Sequence, residues 1–192
     1  MKKLPEDIAD KLLEAADQIP EGSGFDISVD DVAKISGVPR ATLYYYFAGR
    51  DDLVQFYLND LIDRTATAIE KAAASEGTAP DRLRAIMRAV VGSFAEYPRM
   101  CLEMVAAFRA SEDHAEFLGN IDRTVMFPLR QTLSEGMEAG ELAIADIEMT
   151  AAAMMGALHQ TSLTKLIFTG SIDADEVTDV VVPMLLEGVL PR

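Results

Sequence analysis

The chain has 192 residues and a formal net charge of −15, a length that suits one small and one larger helical domain and is ample for a sizeable core. Its 49% apolar content excludes a disordered chain, and no apolar run approaches the roughly 18 residues that a membrane span needs. A single cysteine, Cys101, excludes an internal disulfide. Residues 1–6 turn acidic at once and contain no apolar stretch, so no secretion signal is expected and the reading is a cytoplasmic protein with no membrane partner.

In chain order, Ile8, Leu12, Leu13, Ala16 and Ile19 recur at three-to-four spacing and predict a first amphipathic helix ending at Pro20. Residues 28–53, SVDDVAKISGVPRATLYYYFAGRDDL, predict two short helices around a tight turn. Ser28 is placed to cap the first, with Asp31 three residues on. Val29, Val32, Ala33 and Ile35 form its apolar face, Gly37 permits a left-handed exit, and Pro39 stands where the second helix begins. On that second helix Leu43 and Phe47 share a stripe that can pack on Val32 and Val38. The other stripes carry Arg40, Ala41, Thr42, Tyr44, Tyr45 and Tyr46, a guanidinium, a hydroxyl and three phenols directed outward.

A helix-turn-helix lays its second helix in the major groove with its first residues nearest the base edges. Arg40 suits a guanine edge, and Ala41 or Tyr44 a thymine methyl. Thr42, Tyr45, Tyr46, Arg50 and Lys34, on the preceding helix, suit phosphate oxygens, which fix register. Charge speaks against this use: through residue 50 six Lys and Arg stand against nine Asp and Glu, a net of −3, where a DNA-binding module ordinarily carries a positive footprint. Asp30 and Asp31 side by side would repel a phosphate backbone unless turned away from it.

The remainder continues as helices. One runs from Arg50 to about Ser75, long enough to join two domains; the next starts at Pro80 and runs to Tyr97. Pro98 interrupts the chain, another helix reaches about Ala110, and a long segment follows with Pro128 expected to kink it. Gly140 closes that segment, and two last helices span 146–168 and 173–190, the latter containing an awkward Pro183. No stretch alternates with period two, so the fold class is all-α, about nine helices.

Small and apolar residues at Ala151, Met154 and Leu158, and at Val177, Val181 and Met184, mark a face on each of the last two helices. Paired across two subunits they would build a four-helix homodimer core; packing within one subunit would give the same periodicity. Phe94, Met100, Met104, Phe108, Met126, Met155 and His159 belong to an aromatic and methionine inventory suited to a small, mainly apolar ligand, though ordinary core packing uses the same residues. Arg99, Arg109 and Arg130 are candidate partners for an acidic ligand, though a solvated surface uses the same residues equally well. His114 and His159 lack HExxH spacing, and one cysteine cannot build a thiolate site, so no metal and no cofactor are expected. No Gly-rich phosphate loop or nucleophile elbow occurs, which argues against an enzyme.

The run GVPRATLYYYFAGRDDL resembles the DNA-binding signature of the tetracycline-repressor (TetR) family, with Gly37, Val38, Thr42, Leu43, Tyr44, Phe47, Arg50 and Leu53 on the pattern. The resemblance implies a transcriptional regulator whose residues 1–49 form a three-helix domain that binds palindromic double-stranded operator DNA, and whose residues 50–192 bind a small-molecule effector and dimerise. By family analogy the mode is repression, with activation the alternative, and effector binding is expected to act by moving the helix that begins near Arg50. The alternative is a TetR-like ligand- or protein-binding sensor with weak or lost DNA binding.

Overall fold

The computed structural model describes residues 4–16, 28–98 and 119–189. Arg99, Met100, Met104, Phe108 and Arg109, and the helix expected to about residue 110, lie outside the described residues. Those described are all-helical, as expected: α1 Glu6–Ala16, α2 Val29–Ser36, α3 Arg40–Tyr46, α4 Arg50–Ala73, α5 Ala79–Glu96, a π-helical turn Asp122–Met126, α6 Phe127–Glu138, α7 Ile147–Thr169 and α8 Ala174–Glu187. The chain divides into two compact units, residues 1–60 and 61–192, with the division inside α4.

In the first unit the local signals act as the sequence suggests. Ser28 Oγ accepts from the Asp31 N–H at 3.2 Å and donates to its carboxylate at 2.6 Å, fixing the start of α2. Gly37, at φ +69°, makes the left-handed exit that a Cβ-bearing residue would strain to adopt. Pro39 immediately precedes α3, and its carbonyl accepts from the Thr42 and Leu43 N–H groups. Leu12, Val29, Val32, Val38, Leu43, Phe47, Leu53 and Tyr57 form one buried cluster. The first turns of α4 therefore belong to this core, which is why the compact unit extends past Gly49. The buried Tyr57 hydroxyl donates to the Leu12 carbonyl at 3.0 Å, pinning α4 to α1, and burial pushes its ionisation well above the ordinary phenol value.

In the second unit α5 packs against α6, α7 and α8. A full capping box starts α5: Thr78 accepts from the Asp81 N–H while the Asp81 carboxylate accepts from the Thr78 N–H. Glu141 reaches back to accept from the Ala79 N–H at 2.6 Å. Pro128 does not simply kink its helix. The turn before it widens to π form, with the Phe127 N–H donating to the Asp122 carbonyl five residues back, and α6 restarts with the proline in its first turn. α8 runs on through Pro183, which is exposed.

Two features of this unit give expected results. A Cβ on Gly136 would lie 2.5 Å from Leu142 Cδ1 and 2.6 Å from Ala79 Cβ, so α6 approaches the α5 start only because no side chain intervenes. Gly136→Ala will cost about 1–3 kcal/mol of stability despite its better helix propensity, read by urea unfolding. The Asp81 carboxyl, hydrogen-bonded by Thr78, and that of Glu135, bonded by Arg82, both titrate below their ordinary values. Folded carboxyls that titrate low stabilise above the unfolded value and lose that contribution as pH falls through the folded one. A melting temperature that is level from neutrality down to about pH 5 and declines below about pH 4 is therefore expected.

Candidate nucleic-acid interface and ligand cavity

The face of α3 away from the core is set by Leu43 and Phe47, which are buried and so turn the neighbouring positions outward. Tyr44 is 46% exposed and Tyr45 60% exposed, so these phenols stand at the surface. Ala41 is exposed and Thr42 half-buried. Tyr46 differs from its fellow tyrosines: it packs against the N-terminal core, with the Tyr45 ring edge-on to it at 5.0 Å. Its outward assignment on sequence is corrected to a half-buried one, because position 46 borders the Leu43 stripe.

Each candidate cation has an acid beside it. Arg40 Nε lies 2.7 Å from Asp30 Oδ1, Lys34 Nζ 3.0 Å from Asp31 Oδ1, and an Arg50 terminal nitrogen 3.7 Å from Asp51. Asp31 is held below the usual carboxylate range by the Ser28 hydroxyl first and by Lys34 second. Asp30 thus faces α3 and meets Arg40. The Arg40 guanidinium also lies over the Tyr44 ring, 5.3 Å from its centre, and the Tyr44 hydroxyl is 3.5 Å from the same Asp30 oxygen. Sequence reasoning treated Asp30 only as a repulsive charge; its partnership spans the turn between two helices, which composition does not reveal.

In the second unit the structure brings part of the ligand inventory together. Phe94 and Met155 are buried, and the His159 ring stands edge-on to Phe94 at 5.9 Å. Phe94 and Met155 line an apolar cavity of about 20 Å³ with Ile62, Thr65, Val90, Ile121 and Val125. Met126 is half-buried in the π-helical turn and does not line it. Five lining residues escaped the sequence inventory, which favoured methionines and aromatics over β-branched side chains. Thr65 was the one available signal, a buried hydroxyl among the apolar positions of α4; it donates to Ser93 Oγ at 2.9 Å. Between α4 and α5 a more open cleft of about 280 Å³ shares Thr65 with this cavity and adds Ser93, together with Arg64 and Tyr97, which are hydrogen-bonded at 3.0 Å. Arg130 is engaged by Asp122 at 2.9 Å and Glu148 at 3.4 Å, so its charge is already matched within the protein.

The dimer assignment needs the largest correction. Ala151, Met154, Leu158, Val177 and Val181 are all buried within the subunit, because α7 and α8 turn these stripes towards each other and α5. Of the six, Met184 alone is exposed. The outward faces carry a different apolar set: Met149, Ile167 and Phe168 on α7, Val180 and Met184 on α8, with Phe168 83% exposed.

Among the described residues no helix is long and apolar enough to cross a membrane, and no group of three or more His, Cys, Asp and Glu could hold a metal ion.

Comparison with known proteins matches both units to family models. Residues 12–55 match the model for bacterial regulatory proteins of the tetR family, and residues 76–189 match the tetracyclin repressor-like C-terminal domain. Over 110 residues the chain is 31% identical to the HTH-type transcriptional regulator EthR of Mycolicibacterium smegmatis, covering 55% of this chain and 50% of that protein. The chain thus matches about half the length of this relative. Among solved structures, a TetR/AcrR family regulator from Thermobifida fusca superposes with a TM-score of 0.77 at 21% identity, covering 95% of this chain and 98% of that one. The regulator FadR from Bacillus subtilis, solved in complex with stearoyl-CoA, gives 0.72 at 19% identity, covering 93% and 98%. KstR2 of Mycobacterium tuberculosis, a ketosteroid transcriptional regulator, gives 0.70 at 18%, covering 98% of each chain. At these identities the likeness is one of fold.

Proposed function

This chain belongs to the tetR family of bacterial regulatory proteins, and from that premise we propose that it is a repressor that binds a palindromic operator as a homodimer and releases it when a small, mainly apolar effector binds. Operator binding belongs to residues 1–49 with the first turn of α4, and effector binding and dimerisation to the residues that follow. The observation that carries the reading is the exposed face of α3, where Arg40, Tyr44 and Tyr45 stand outward on a helix locked by Leu43 and Phe47. Arg40 and Tyr44 contact base edges, with Ala41 beside them; Lys34, Thr42, Tyr45 and Arg50 contact phosphate and sugar. Tyr46 braces Tyr45.

The two subunits pair through the outward faces of α7 and α8, at Met149, Ile167, Phe168, Val180 and Met184, rather than through the buried stripes. Five large apolar residues exposed on two neighbouring helices support this, since a monomer gains nothing by leaving them wet. A two-fold pair then matches two half-sites one helical turn apart.

The effector enters at the cavity bounded by Phe94 and Met155. Its present volume, about 20 Å³, is far below the roughly 300–1,000 Å³ of ligand pockets, so occupancy requires the lining to move. Met155 adapts cheaply, and Ile62 and Thr65 place α4 in the wall that must yield. Displacing α4 changes the spacing of the two recognition helices, which is all that release requires.

The decisive experiment is gel retardation of duplex DNA from upstream of the protein's own coding region, followed by a thermal-shift screen of apolar compounds. Specific retardation that a stabilising compound relieves supports the reading. A compound that stabilises the protein and leaves DNA affinity untouched overturns the coupling, and absence of specific retardation overturns operator binding. Because each interface cation lies beside an acid, binding should depend weakly on salt. With at most three cations per subunit, the slope of log affinity against log salt is expected to be shallower than about −5.

A further inference from the structure

We propose that Asp30 is a positioning residue for sequence readout, holding the Arg40 guanidinium so that its two terminal nitrogens meet one guanine per half-site. The inference rests on the operator-binding reading above and goes beyond it by assigning a role to an acid that would otherwise only repel DNA.

Asp30 lies on the first turn of α2 between Val29 and Asp31, the partner of the Ser28 cap, and both Val29 and Val32 are buried, so the backbone beneath its carboxylate is fixed. Arg40 opens α3 across the turn. Their contact is an ion pair, Nε to Oδ1 at 2.7 Å. The ring of Tyr44 supports one face of the guanidinium at 5.3 Å, and the Tyr44 hydroxyl reaches the same carboxylate oxygen at 3.5 Å. Carboxylate and ring together restrain a side chain that otherwise samples many rotamers. Arg40 meets Asp30 through Nε, the inner nitrogen of the guanidinium, so the two terminal NH₂ groups form the planar fork that pairs with the O6 and N7 acceptors of guanine.

Two roles for Asp30 give opposite results. An acid that merely opposes the phosphates lowers affinity for every duplex alike, and its removal strengthens binding with sequence preference unchanged. An acid that orients Arg40 contributes preference at one base pair, and its removal weakens that preference even if general affinity rises.

The test is selection from a randomised duplex library with the full-length protein, Asp30→Ala, Asp30→Asn, Arg40→Ala and the Asp30→Ala/Arg40→Ala double variant, each confirmed folded by circular dichroism. The expected result is a guanine preference in the wild-type motif that Arg40→Ala erases and that Asp30→Ala reduces about tenfold at the same position, with other positions retained. The double variant should match Arg40→Ala alone, and Asp30→Asn, which keeps an acceptor, should fall between wild type and Asp30→Ala. An unchanged motif in folded Asp30→Ala, or an equal loss at all positions, overturns the positioning role while leaving operator binding in place. A wild-type protein that enriches no sequence overturns the operator-binding reading and this inference with it.

Discussion

Arg40→Ala combined with Tyr44→Ala abolishes sequence-specific retardation of an operator duplex while helix content and melting temperature stay near those of the parent protein. Both side chains are exposed on α3, and neither belongs to the buried cluster of the first unit. Their stabilising contacts are the ion pair with Asp30 and the guanidinium over the phenol ring. An exposed pair of this kind is worth roughly 0–1 kcal/mol, so the fold should not register its loss strongly. Recognition is another matter. One bidentate base contact is worth about 1–3 kcal/mol, and a symmetric dimer loses it twice, about 2–6 kcal/mol in all. Affinity for the operator then approaches that for unrelated DNA. Electrophoretic retardation beside thermal unfolding checks both halves; unchanged retardation would reject the assignment of these residues.

Phe47→Ala produces the opposite pattern, a loss of structure from which loss of binding follows. Phe47 is fully buried, packs edge-on to Phe56 at 5.8 Å, and closes the core that joins α2, α3 and the start of α4. Removing a buried phenyl ring costs about 3–5 kcal/mol. That is a large fraction of the stability of a small unit, whose total is commonly about 5–15 kcal/mol. Hydrogen exchange should show amides of residues 28–60 losing protection while those of α5, α6, α7 and α8 keep theirs. Equal loss throughout both units would contradict independent cores.

Much of the first unit is legible in the sequence because its signals are local. Ser28, Gly37 and Pro39 act within a few residues of where they stand, and Leu43 with Phe47 names the buried face of α3 without reference to anything distant. The last two helices are less legible for a definite reason. α7 is apolar nearly all round, with Ala151, Met154 and Leu158 inside and Met149, Ile167 and Phe168 outside. A helical period identifies a stripe but not which of two stripes a subunit keeps for itself; here Ala151, Met154 and Leu158 lie on the stripe buried within the subunit. The cavity suffers from a different limit: Ile62, Val90, Val125 and Met155 come from four separate elements, and their meeting is a property of packing. Asp30 shows both effects. Its charge is plain in the sequence, whereas its direction depends on how α2 and α3 cross.

The central claim, that two copies of α3 dock side by side in the major groove, is tested most directly by guanine-N7 methylation interference and hydroxyl-radical footprinting on a selected duplex. The account predicts two protected patches on one face of the DNA, their centres about one turn, roughly 34–36 Å, apart, with a methylated guanine in each abolishing binding. A single protected patch, or binding indifferent to groove methylation, would contradict it.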